Sequence, residues 1–156
     1  MKTKVLIIST IILLSFSQLN AQTGQEYDNE DGTSMLPITY NLVDVVKEIE
    51  KNDVEIVRVE FDLLFTTKES FRTLHSDYTY GILAYGDYRI QEIGIRLYKK
   101  DASGNWRYEI DGEISTNTCK VFVKPEETAE YKIELRAIKF TEGFSGGHYG
   151  FIVIHD

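Results

Sequence analysis

The segment Gly143–Gly147 reads Gly-Phe-Ser-Gly-Gly, the G-x-S-x-G spacing that exposes a nucleophilic serine in α/β-hydrolases. That arrangement needs a strand before the serine, a helix after it and a parallel sheet around it. Here the following segment, Tyr149–Ile154, is an apolar run typical of a strand, and His148 and His155 lie too close to the chain end. We therefore predict a loop between strands at 143–147 rather than a catalytic serine.

Acidic side chains recur at predicted turns, where they could gather around a cation. Calcium binds several oxygen ligands supplied by defined loop positions. Asp87 with Glu92, and Asp101 with Asp111, are the pairs that strand ends could bring together, although aspartate also favours turns for its local hydrogen bonds. These four residues are candidate calcium ligands, and no other cofactor is expected. A small hydrolase built on carboxylates is a further alternative, but no spacing fixes two of them across a cleft.

The sequence is rich in aromatic side chains, with 10 tyrosines and one tryptophan. Aromatic rings on a flat sheet can stack on sugars or anchor a protein partner. Tyr85 and Tyr98 lie on the strand faces opposite the main apolar stripes, so we expect them to face solvent. Tyr88 lies beside a turn and His148 follows two glycines. These four are the candidate ligand-binding residues, and the alternative is that such rings are buried in the core.

From Val54 onward, apolar and polar residues alternate with a period of two, which is typical of β strands with one buried face. Turn signals separate the alternating segments about every ten residues, and no long helical pattern comes between them. This predicts an all-β fold, an antiparallel, jelly-roll-like β-sandwich of about eight strands. The alternation slips at Ala137–Ile138, which predicts a bulge. The expected strands are 54–65, 70–75, 78–85, 92–98, 106–110, 119–123, 131–137 and 149–154.

The first 21 residues have the features of a secretory signal peptide in their usual order: positive charge, an apolar run and a small residue at the cleavage point. Lys2 and Lys4 precede the apolar run Val5–Phe16, and cleavage is expected near Ala21. The run is short for a membrane span, which needs roughly 20 residues, so a permanent anchor helix is the less favoured alternative. The mature chain is therefore expected to be secreted or periplasmic and not inserted in a membrane.

Residues 22–40 are polar and acidic, and we expect a flexible lead-in there. Residues 41–156 should form a single domain. Within it, apolar residues at helical spacing between Asn41 and Asn52 predict a short N-terminal helix, with a strand as the competing interpretation because the segment is rich in β-branched residues.

The net charge of the chain narrows the range of binding partners. The whole chain carries a net charge of −8, and the loss of Lys2 and Lys4 with the signal peptide would make it −10. Such a chain repels phosphate backbones, so nucleic acid is not an expected partner.

The single cysteine, Cys119, cannot form an internal disulfide and is expected to be buried.

Four segments between residues 80 and 154 resemble bacterial pre-peptidase C-terminal domains, which are secreted β-sandwiches. The matching segments are Gln91–Tyr98, the turn Asp101–Gly104, Thr128–Leu135 and Gly147–Val153. The resemblance implies a non-catalytic accessory domain, sometimes cation-dependent. We therefore predict a binding module rather than an enzyme, with a glycan or an extracellular protein as ligand. A partner or inhibitor domain of an extracellular peptidase is the alternative.

Overall fold

The computed structural model describes residues 35–156, so the predicted signal peptide at 1–21 and residues 22–34 of the lead-in lie outside the described residues. The described chain contains one helix and nine strands. Their bounds are α1 Leu36–Glu50, β1 Glu55–Leu64, β2 Thr67–Leu74, β3 Tyr80–Gly86, β4 Ile90–Lys100, β5 Trp106–Asp111, β6 Glu113–Ser115, β7 Thr118–Val123, β8 Ala129–Phe140 and β9 Gly147–His155.

The strands form two antiparallel sheets, which confirms the predicted β-sandwich. The five-stranded sheet has the order β1-β9-β3-β7-β6 and the four-stranded sheet the order β2-β8-β4-β5. Strand β6 was not predicted, because a segment of three residues is too short to show alternation. Segment 143–147 lies mostly in a loop, as predicted, and this loop connects β8 in one sheet with β9 in the other.

The core lies between the two sheets, where alternate side chains of each sheet meet. Strands β4 and β8 contribute Ile93, Ile95, Leu97, Tyr131 and Ile133, each at most 1% exposed. The remaining buried members of this core are Leu64, Leu74, Tyr80, Ile82, Ala84, Ile90, Cys119, Val121, Leu135, Tyr149, Phe151 and Val153.

Helix α1 covers the outer face of the five-stranded sheet. Its buried residues Ile38, Leu42, Val45 and Ile49 recur at helical spacing and pack on β3 and β9. The helix begins at Leu36 rather than at the predicted Asn41, so the last residues assigned to the flexible lead-in are helical. The physical reason is Pro37, whose fixed φ suits the first turn of a helix and whose missing N–H costs nothing there.

Shifts in the strand register change which face a side chain occupies. The pairing of β4 with β8 shifts register between Glu92 and Ile93, opposite the predicted bulge at Ala137–Ile138, which confirms it. The pairing of β1 with β9 shifts between Ile56 and Arg58.

The long apolar face expected on β1 is only partly buried. Val59 and Leu63 are 40% and 42% exposed, and Phe65, just after the strand, is 60% exposed. Strand β1 is an edge strand, so part of its outer face lies beyond the area that α1 covers. Its Leu64 points the other way, into the core between the sheets.

Candidate ligand-binding face

The outer face of the four-stranded sheet carries four aromatic side chains that α1, the helix of residues 35–156, does not cover. Because successive strand residues point to opposite faces, the neighbours of the buried core residues point outward here. Phe71 comes from β2, Tyr98 from β4, and Trp106 and Tyr108 from β5. We call these four residues the aromatic platform.

Strand register places the platform residues side by side. Phe71 is paired with Lys132 of β8, Lys132 with Tyr98, and Tyr98 with Tyr108, so one row of side chains crosses all four strands. Trp106 starts the next row, opposite Lys100.

The rings of the platform contact one another. The rings of Phe71 and Trp106 come from opposite edge strands and meet over the sheet, with centroids 5.5 Å apart. Tyr98 and Tyr108 form an edge-to-face pair at 6.4 Å, within the range of favourable aromatic pairs. Phe71 and Tyr108 are 51% and 58% exposed, and the other two rings are half-buried. The arrangement therefore presents two pairs of aromatic rings on the same open face of the sheet.

Charged side chains lie between and above the rings. The Lys132 ammonium is 4.3 Å from the centre of the Tyr98 ring, and the Lys100 ammonium is 5.5 Å from that of Trp106. The Arg96 guanidinium lies 5.6 Å from the centre of the Tyr108 ring. These distances are within the range at which a cation attracts the face of an aromatic ring.

Each of these cations is also paired with a carboxylate. Lys132 contacts Glu69 at 2.9 Å, and Lys100 contacts Glu130 at 2.7 Å. Arg96 binds Asp111 through two hydrogen bonds, of 2.6 and 3.0 Å. Those hydrogen bonds are the main reason why the pKa of Asp111 is lowered. The face is thus a set of rings framed by ion pairs.

Sequence reasoning found only Tyr98 of the four platform residues. Tyr98 points to the outer face as expected, although Lys132 and Tyr108 half-cover it. Strict alternation would put Ile110 on the same face as Trp106 and Tyr108. The register shift between Leu97 and Tyr98 prevents this, because Ile110 is paired with the inward-pointing Leu97.

No protein-family model matches the sequence, and no curated protein matches it significantly. Solved structures with a similar fold include the pre-peptidase C-terminal domain of a collagenase from Bacillus anthracis, the type of domain that the strand motifs resemble. That match has 17% identity, a TM-score of 0.47, and covers 62% of this chain and 87% of the other.

Two further similar structures are the periplasmic inhibitor of g-type lysozyme PliG from Aeromonas hydrophila and TmCBM61 in complex with β-1,4-galactotriose. PliG has 6% identity, a TM-score of 0.41, and coverage of 66% of this chain and 86% of the other. TmCBM61 has 18% identity, a TM-score of 0.31, and coverage of 67% and 86%. These low identities and TM-scores carry no information on function, which depends on the side chains of this chain.

Tyr85, expected on the surface, is instead buried at 3% exposure. It lies on the face of β3 opposite the core between the sheets, but α1 covers that face, so strand parity alone gave the wrong environment. Within residues 35–156 its buried hydroxyl has no hydrogen-bond partner, and burial raises the pKa of Tyr85.

We expect Tyr85→Phe to raise the free energy of unfolding by about 1 kcal/mol, because it removes a buried hydroxyl that makes no hydrogen bond. Tyr149→Phe is the matched control. The Tyr149 hydroxyl donates a hydrogen bond to Glu60, so its removal should lower stability. Urea unfolding of both variants gives the comparison, and a destabilised Tyr85→Phe variant would contradict the structural interpretation.

Tyr88 and His148 lie together at one end of the sandwich, away from the platform. Tyr88 is 58% exposed and makes an edge-to-face contact with Phe144, while His148 is 7% exposed rather than an exposed contact residue. His148 Nδ1 is 2.6 Å from Nη2 of Arg89, which is bound to Asp87. This end of the molecule therefore has a buried network of polar side chains near two exposed rings, Tyr88 and Phe144.

The four candidate metal ligands are not brought together. Asp87 binds Arg89, and Glu92 lies opposite Lys139. Asp101 holds the β4–β5 turn by accepting hydrogen bonds from two backbone N–H groups, whereas Asp111 lies at the other end of β5. Residues 35–156 contain no group of three or more His, Cys, Asp or Glu side chains placed to bind a metal ion.

One more polar cluster lies at the rim between β1 and β2, where Glu60 accepts hydrogen bonds from Arg58, Lys68 and Tyr149. Burial raises the pKa of Glu60, but these hydrogen bonds outweigh it, and the net pKa is lowered. Glu60 is therefore held ionised. A general acid needs the opposite shift, towards neutral pH.

The lowered pKa of Glu60 predicts a pH-dependent stability. A carboxyl whose pKa is lower in the folded state stabilises the fold above its unfolded pKa, near 4.5, and loses that contribution as the pH falls through the folded value. We expect Glu60→Gln to cost about 2 kcal/mol at pH 7 and less at pH 3.5. Urea unfolding at both pH values measures this difference, with the exposed Glu126→Gln as control. A difference in free energy of unfolding between wild type and Glu60→Gln that stays the same at both pH values would contradict this prediction.

Proposed function

We propose that this chain is a non-catalytic binding module that holds a glycan on the aromatic platform. The observation that carries the proposal is the presence of two ring pairs on one open sheet face, Phe71 with Trp106 and Tyr98 with Tyr108. Sugar rings present flat apolar faces that stack on aromatic side chains, while their hydroxyl groups bond to polar groups at the edge. The platform offers both features.

The preorganisation of the rings supports binding. Each of Tyr98, Trp106 and Tyr108 has a cation within 6 Å of its ring centre, and each cation is tied to a carboxylate. A surface that is already ordered loses less conformational entropy when a ligand binds. The rings also lie on strands rather than on loops, and strands hold side chains more rigidly.

The acidic groups support a binding role more than a catalytic one. Within residues 35–156, the five carboxyl groups with a shifted pKa are all shifted downward, which is opposite to the shift that tunes a general acid for neutral pH. The same part of the chain contains no helix long and apolar enough to cross a bilayer. With the predicted signal peptide at 1–21, we propose that the module acts outside the cytoplasm.

Trp106→Ala tests this proposal. Removing a central aromatic residue of a binding site costs about 2 kcal/mol or more, so binding should weaken at least about 30-fold. The measurement is retardation of the purified protein in native gels that contain hydroxyethyl cellulose, galactomannan, β-1,4-galactan or xylan. We expect at least one of these polysaccharides to retard the wild-type protein.

Tyr88→Ala is the matched control, because Tyr88 and Tyr108 are both 58% exposed but only Tyr108 belongs to the platform. Tyr88→Ala should bind like wild type, and Tyr108→Ala should bind more weakly. Circular dichroism confirms that each variant is folded. Equal binding by Trp106→Ala and wild type, or no retardation by any polysaccharide, would overturn the proposal and leave a protein ligand as the other interpretation of the rings.

A further inference from the structure

We infer that the glycan held by the platform is uncharged, an inference that rests on the proposed function. The outer face around the rings carries four basic side chains, Arg96, Lys100, Lys132 and Arg136. Each is within 4 Å of a carboxylate of the same face, and the four carboxylates are Glu69, Asp111, Glu130 and Glu134. The charges of the face therefore cancel.

Among residues 35–156, a uronate or sulfate group on the rings would find each of these four cations already paired with a carboxylate. To bind Lys132, for example, it would have to displace Glu69 at 2.9 Å and would leave that carboxylate beside the new anion. Like charges brought together in this way cost free energy instead of stabilising the complex. The net charge of −8 on the whole chain adds repulsion at longer range.

A cationic amino sugar meets the opposite obstacle. The ring faces of Tyr98, Trp106 and Tyr108 each have a protein cation nearby, at 4.3 to 5.6 Å from the ring centre. A ligand cation would have to approach that charge in order to stack. A neutral hydroxyl group meets neither obstacle, because it can donate to a carboxylate and accept from an ammonium without breaking the ion pair.

The distinguishing experiment compares polysaccharides that share a backbone but differ in charge. Hydroxyethyl cellulose is compared with carboxymethyl cellulose, and methyl-esterified pectin with its de-esterified form, in native gels at 50 and 500 mM NaCl. For whichever of the two backbones the protein binds better, we expect the neutral form to be bound at least about tenfold more tightly than the acidic form. The neutral form should also change its affinity less than about twofold with salt, since no ionic contact to the ligand is made.

Tighter binding of the acidic form, weakened strongly by salt, would overturn this inference. If Trp106→Ala still abolished that binding, the proposed glycan-binding function would stand and only the ligand charge would be wrong. If neither form of either backbone, nor galactomannan, β-1,4-galactan or xylan, retarded the wild-type protein, both proposals would fail.

Discussion

Replacing Asp87 with alanine is expected to lower the free energy of unfolding by about 3–5 kcal/mol, because it leaves a buried guanidinium without its counter-charge. Asp87 and Arg89 are 7% and 9% exposed. The Asp87 carboxylate accepts hydrogen bonds from Arg89 Nε at 2.8 Å, from the Arg89 backbone N–H at 2.9 Å and from the His148 backbone N–H at 2.9 Å. One side chain thus links the β3–β4 turn to the start of β9.

The matched control is Asp44→Ala. Asp44 also forms an ion pair, with Lys47 at 3.4 Å, but both side chains are at least 51% exposed. Exposed pairs contribute at most about 1 kcal/mol, so this variant should be close to wild type. Urea unfolding compares the two, with Asp87→Asn as a milder change if the alanine variant does not fold. A loss below 1 kcal/mol for both substitutions of Asp87 would show that the buried pair does not hold this end together.

Gly150→Ala is the second substitution expected to damage the fold, at a cost of at least about 2 kcal/mol. The Tyr85 ring lies directly against the backbone of Gly150, so a Cβ atom there would overlap the ring. The ring cannot move aside easily, because it is buried beneath α1 together with Leu83 and Ile152. One of the two packed layers would have to shift.

A double-mutant cycle separates this steric conflict from other effects. Tyr85→Ala alone should cost about 3–5 kcal/mol through the cavity it leaves. Once the ring is absent, adding Gly150→Ala should cost little, so the two changes should be strongly non-additive. If the costs instead add, the penalty at Gly150 does not come from Tyr85.

The sandwich could be predicted from the sequence because burial between two sheets imposes a period of two. Residues such as Ile93, Ile95 and Leu97 fall on the predicted inner face and are buried there. The helix was found because Leu42, Val45 and Ile49 share a helical face, and only its start was misplaced.

The environment of the outer faces could not be predicted in the same way. Strand parity says that Tyr85 and Tyr98 point away from the core between the sheets, which is correct for both. The alternation of a strand does not show which outer face a helix covers. Helix α1 packs on the five-stranded sheet, which buries Tyr85 and leaves Tyr98 on the face that α1 does not cover. A signal for the covered face was the unbroken apolar run Phe151–Ile154, since a strand with two buried faces does not need to alternate.

The platform itself depends on register, which single residues do not reveal. Phe71 is 27 residues before Tyr98 in the chain, and they become neighbours only through their shared partner Lys132. Trp106 is prominent as the one tryptophan, but its contact with Phe71 requires both edge strands of the finished sheet.

NMR can locate the ligand directly. The protein is titrated with an oligosaccharide taken from the neutral polysaccharide that retards it in the gels, and the changes in its backbone amide signals are mapped. Binding at the aromatic platform should move the signals of β4, β5 and β8 around Tyr98, Tyr108 and Lys132, and leave those of α1 and of the turn at Tyr88 unchanged. Shifts concentrated at α1 or at Tyr88 and Phe144 would show that the ligand sits elsewhere and that the platform is not the binding face.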